Sequence, residues 1–120
     1  MAFQFKCDSI NGFSEVSASV SFDENGLSFE YQNNYIGLVK GDVYDIFIPY
    51  SQIEEIEFVK KFFSSKICIT LNSLKNLDKL PIIDEYTIII PVKKKSIEKA
   101  NEFAISANYH FGQYKLSTYL

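Results

Sequence analysis

The order of two patterns constrains this chain most. Apolar and polar residues alternate at period two through roughly its first three quarters, and one stripe at helical spacing closes it. Strands first and a single amphipathic helix last predict a small antiparallel barrel or sandwich sealed by that helix.

The clearest strand is Val16 to Phe22, where Val16, Ala18, Val20 and Phe22 alternate with serines and Glu15. Leu27, Phe29 and Tyr31 repeat the pattern. Asn25-Gly26 between them suits a two-residue type I′ turn, which would set Phe22 opposite Phe29 and Val20 opposite Tyr31. Asn33 to Asp42 reads mainly as a loop broken by Gly37 and Gly41, with Tyr35, Ile36, Leu38 and Val39 able to extend a strand. Tyr44, Ile46, Ile48 and Tyr50 share one strand face, and Pro49 ends that strand or marks an edge.

In the next strand Ile56 and Phe58 share a face and Ile53 falls off phase, which predicts a bend at Ile53 to Glu55. Ile67, Ile69 and Leu71 form another strand, and Tyr86 to Ile90 a further one that Pro91 ends or sets at an edge. Between them lies a long connection whose Leu74, Leu77 and Leu80 recur every three residues, as in a helical turn stopped by Pro81. With Ala2 to Cys7 the strands number seven, without it six.

Ser96 stands where a helix N-cap belongs, and Gly112 where a C-terminal cap does. Ile97, Ala100, Phe103, Ala104, Ala107 and Phe111 line one face between them. A helix of about 96–111 follows, about 22 Å long and able to cover one end of a small barrel. A short tail, 112–120, remains.

At 120 residues the chain is expected to form one domain, 1–120. Its composition, 47% hydrophobic and 16% aromatic, supports a β-rich core without disulfide or metal. The net charge is −3 and every basic residue is Lys. Lacking Arg, the phosphate-gripping fork, an acidic chain is a poor nucleic-acid binder. The first residues lack the apolar core of a signal peptide, and no apolar run approaches the roughly 20 residues that cross a bilayer. Cys7 and Cys68 are expected as reduced thiols of a cytoplasmic protein.

Ile48, Tyr50, Ser51, Gln52, Ile53 and Ile56 form an apolar strand, a Tyr-Ser-Gln-Ile corner and an Ile-bearing strand. This stretch, with the order of elements, resembles the bacterial branch of the pleckstrin-homology-like (PH-like) superfamily. The resemblance implies a mainly β fold, α+β by count. It would be a bent antiparallel barrel or sandwich of six or seven strands capped by one C-terminal α-helix. It implies no single activity: members bind phosphoinositides, bind peptides or proteins, or self-assemble. The phosphoinositide binders place basic residues around the first hairpin. Here the first turns, Asp8 to Gly12 and Asp23 to Gly26, carry acids and no Lys, so that site is not carried over.

Catalytic material is sparse. His110 is the one histidine and has no evident partner, no Cys/His metal spacing occurs, and Glu54, Glu55 and Glu57 read as a solvated acidic face. No cofactor is expected. The candidate contact residues are Phe62 and Phe63 with Lys60 and Lys61, and Lys93, Lys94 and Lys95 before the helix. Leu74, Leu77 and Leu80, and Tyr114, Leu116, Tyr119 and Leu120, are further candidates. Three lysines on an anionic surface contribute only about 3 kcal/mol, weaker than millimolar. The leading expectation is therefore a non-enzymatic interaction module that self-associates or binds a protein. The alternative is peripheral binding to an anionic membrane through the Lys/Phe surface. The richness in Lys, Asn and Ile without Arg points to a bacterial, AT-rich genome.

Overall fold

A computed structural model describes residues 1–10, 12, 14–35 and 39–119. Among them, two four-stranded antiparallel sheets precede one long helix. The first sheet is the meander β1 (Ala2–Asp8), β2 (Ser14–Phe22), β3 (Gly26–Tyr35) and β4 (Val39–Pro49). The second has the order β5-β6-β8-β7, from β5 (Ile53–Val59), β6 (Ser65–Leu71), β7 (Ile83–Asp84) and β8 (Thr87–Val92). No ladder joins the two sheets among the described residues, so the fold is an open pair of sheets and not a closed barrel.

The alternation in β2, β3 and β6 sends Val16, Val20, Leu27, Phe29, Ile67 and Ile69 inward, where they are buried. Helix α1 (Ile97–Thr118) packs Ala100, Phe103, Ala104, Ala107 and Phe111 onto this core. Phe103 meets Phe3 and Phe22, and the Asn108 side chain donates to the Ile56 carbonyl at 2.8 Å.

Five sequence expectations change. The strands number eight, because two-residue β7, too short to show a period, pairs back on β8 through a turn with Glu85 at φ 58°. Much of the expected loop 33–42 is strand, with a register shift between Gln32 and Asn34. Side-chain amides serve this irregular stretch: Gln32 donates to the Gly41 carbonyl at 2.7 Å and Asn34 to the Ser17 hydroxyl at 3.1 Å. Ile36 and Leu38, like the expected breaker Gly37, lie outside the described residues.

The β2–β3 register is two residues from the one expected: Phe22 faces Leu27 and Val20 faces Phe29. Neither Asn25 nor Gly26 has positive φ, so the turn is not type I′. The Asp23 carboxylate organises it, accepting from the Asn25 and Gly26 N–H groups at 2.7 and 3.1 Å.

Both helix ends also differ. Ser96 makes no side-chain cap. A 3-10 turn at Lys94–Ser96 leads into the helix, and the Ile97 N–H bonds the Lys94 carbonyl. At the other end α1 runs through Gly112 to Thr118 instead of stopping there. The added turn packs Tyr114 on Tyr50, ring centres 5.8 Å apart, a tertiary contact that outweighs the roughly 1 kcal/mol cost of glycine in a helix.

The bend expected near Ile53 is present as a register shift between Ile53 and Glu55. Before it, Pro49 ends β4 and Tyr50–Gln52 form a 3-10 turn into the second sheet. The Gln52 amide donates to the Ser73 and Lys75 carbonyls, both at 2.9 Å, and Asn72 donates to the Ser51 carbonyl at 2.9 Å. The corner is thereby tied to the connection before β7.

Candidate interaction surface

The β5–β6 hairpin carries the two most exposed large apolar side chains among the described residues. Phe62 and Phe63 are 89% and 93% exposed, packed edge to face with ring centres 4.6 Å apart. The loop beneath them is anchored: the Ser65 hydroxyl is buried, donates to the Lys61 carbonyl at 3.2 Å and accepts from the Lys61 N–H at 3.3 Å. The flanking Lys60 and Lys61 are exposed.

Antiparallel pairing of β6 with β8 sets Ser65 opposite Val92 and Lys66 opposite Pro91. Lys93, Lys94 and Lys95 follow Val92 directly and are exposed. The fold therefore brings both halves of the expected contact set to one end of the second sheet. Two aromatic rings stand at a hairpin tip, with Lys60, Lys61 and Lys66 on its arms and the three lysines at the neighbouring strand end.

Other candidates are redistributed. Leu77 and Leu80 are buried, at successive turns in which the Leu77 N–H bonds the Leu74 carbonyl at 3.0 Å and the Leu80 N–H bonds the Leu77 carbonyl at 3.1 Å. They belong to the core, and only Leu74 is exposed. In the expected tail, Tyr114 is half-buried on Tyr50, while Leu116 on α1 and Tyr119 just beyond its end are exposed. Leu120 lies outside the described residues. Sequence periodicity missed Ile105 and Tyr109, which are exposed on the same outer side of α1 as the expected candidate Leu116. It also missed exposed Val43, Tyr44 and Phe47 on β4. The signal was present as apolar residues off the buried stripe.

His110 is half-buried against the Phe22 ring, 5.1 Å between centres. Glu54, Glu55 and Glu57 are exposed. Among the described residues no three His, Cys, Asp or Glu side chains gather as metal ligands. Both cysteines are free. Burial, then Asp8 and Glu15, raises the Cys7 thiol from 9.0 to about 11, and burial also raises Cys68. No described helix is long and apolar enough to cross a membrane. Compared with family models, curated proteins and solved structures, the chain finds no significant match.

Proposed function

We propose that the protein is a non-enzymatic, PH-like module that docks peripherally on an anionic membrane surface through the end of its second sheet. The observation that carries this is the pair Phe62 and Phe63, about nine-tenths exposed, at a tip beside Lys60, Lys61 and Lys93 to Lys95. Sequence alone weighed three lysines, about 3 kcal/mol. Five lysines at about 1 kcal/mol each and two rings at about 1.5 kcal/mol or more give a gross attraction of about 8 kcal/mol. That is the scale of micromolar affinity before ordering costs are subtracted. The membrane reading thus moves ahead of the protein-partner reading.

Flotation with vesicles of phosphatidylcholine and phosphatidylserine tests it. The chain floats at low salt and is released as salt rises, because the lysine contribution is screened. Phe62→Ser with Phe63→Ser, at an exposed tip, abolishes flotation without lowering Tm. Flotation that is absent, or unchanged in that double variant, overturns the proposal.

A second reading, a protein partner or a second copy of the chain, is favoured by the exposed Ile105, Tyr109 and Leu116 on α1. Light scattering on the wild-type chain and on Tyr109→Glu separates a self-association that uses this side from one that does not.

A further inference from the structure

Helix α1 has a second stripe, on the side away from the core. Ile105, Tyr109, Gly112 and Leu116 recur at spacings of four, three and four, and Tyr119 at the C-cap continues them by three. That is the seam of a coiled coil, apolar residues repeating every 3.5 positions. Ile105, Tyr109, Leu116 and Tyr119 are 62%, 64%, 62% and 86% exposed. The exposed side of a helix normally carries charge. Here Lys115 is the one Asp, Glu, Lys or Arg between Glu102 and Leu116, and its ammonium lies over the Phe111 ring, 4.5 Å from the centre.

The stripe is complementary to itself. Its bulky Tyr109 stands three positions from Gly112, where nothing lies within 4 Å of a built Cβ. Tyr109 is already held in place. Its ring packs edge to face on His110, 5.6 Å between centres, and His110 rests on the Phe22 ring. We propose that a second copy of this chain covers the stripe, the two α1 helices packing antiparallel about a two-fold axis at the level of His110 and Phe111. Each Tyr109 ring then enters the notch at Gly112 of the second copy, Ile105 meets its Leu116, and Tyr119 reaches its Glu102. A parallel pair would set Tyr109 on Tyr109 and Glu102 on Glu102, a steric and like-charge conflict that the antiparallel pair avoids.

The area suits a reversible dimer. A Tyr buries about 150–250 Å² and Ile and Leu somewhat less, so these exposures leave roughly 600 Å² per copy to cover. Two such faces reach about 1,200 Å², the lower end of specific stable interfaces. The pairing rests on the second-copy reading above and names its geometry. It is independent of the docking end, because Phe62, Phe63 and the docking lysines all lie outside α1.

Sedimentation equilibrium of the full chain between about 1 and 100 μM tests it, a range centred on micromolar affinity. A monomer–dimer equilibrium is expected. Gly112→Leu fills the notch and weakens association at least about tenfold. Its Tm, read where the chain is monomeric, does not fall, because leucine favours a helix more than glycine does. Ile105→Glu weakens association to a similar extent. Adding Leu116→Lys to Ile105→Glu restores it, since the antiparallel pair sets each Glu beside a Lys, whereas adding Leu116→Glu does not. Misfolding cannot produce that reversal. A dimer that ignores Gly112→Leu, or that Leu116→Lys fails to restore, overturns the antiparallel pairing and leaves self-association to another face. A chain that stays monomeric throughout overturns both the pairing and the second-copy reading.

Discussion

The Tyr50 hydroxyl donates a 2.6 Å hydrogen bond to the Asp23 carbonyl. Tyr50 sits at the corner between the sheets, and Asp23 opens the β2–β3 turn. The same ring packs on Phe111 and Tyr114, with centres 5.7 and 5.8 Å away. One side chain therefore locks the β2–β3 hairpin, the corner and the last turns of α1 together.

Burial, then Asp23, raises the Tyr50 hydroxyl from 10.0 to about 12. The folded state holds the proton more tightly than the unfolded chain. The resulting stability is complete below pH 10 and is lost as pH rises toward 12. Tyr50→Phe should cost about 1 kcal/mol at pH 7, because the hydrogen bond is gone. The gap between wild type and variant should shrink between pH 10 and 12. Urea melts at both ends of that range check it, and a gap that stays constant refutes the assignment.

Two glycines should respond in opposite directions to alanine. A Cβ on Gly26 would collide with the Ile48 carbonyl oxygen and come within 2.9 Å of the Phe47 ring and the Pro49 Cα. Backbone on β4 cannot yield, so Gly26→Ala should destabilise by about 3 kcal/mol. At Gly112 nothing lies within 4 Å of the added atom. There, in a helix interior, alanine should stabilise by about 0.5–1 kcal/mol. Thermal melts of the two variants decide both, and a stabilising Gly26→Ala would mean β3 and β4 are not paired this way.

These positions show what the sequence made legible. Period-two alternation identified the faces of β2 and β3 correctly. A slip of two residues leaves every side chain on its own face, so the pattern could not reveal the true register. The Asp23 side chain decides it. Gly112 looked like a helix stop because the contact that carries the helix past it, Tyr114 on Tyr50, spans 64 positions and leaves no local mark. Phe62 and Phe63 were recognisable as a hairpin tip between two strands. Their association with Lys93 to Lys95 depends on β6 pairing with β8 past the intervening β7, which composition does not encode.

The connection before β7 offers a direct contrast. Leu77 is 2% exposed and Leu74 is 38% exposed, although both fall on the same three-residue spacing. Leu77→Ala should cost about 2–5 kcal/mol as a buried leucine truncation. Leu74→Ala should stay within about 0.5 kcal/mol of wild type. Comparable losses for the two in denaturant melts would place this segment differently from the turns described.

Cys7 faces chemistry that its position on edge strand β1 would otherwise invite. Only the thiolate alkylates, and a thiol moved from 9.0 to about 11 is far less ionised at pH 8. Its thiolate fraction drops about a hundredfold, so iodoacetamide should modify it about a hundred times more slowly than a free thiol at that pH. The rate should climb with pH toward 11. Asp8→Asn, which removes one of the two carboxylates that disfavour the thiolate, should speed the reaction at pH 8. Mass spectrometry of the Cys7 peptide over time measures both, and a rate equal to that of the unfolded chain would show that neither burial nor Asp8 protects this thiol.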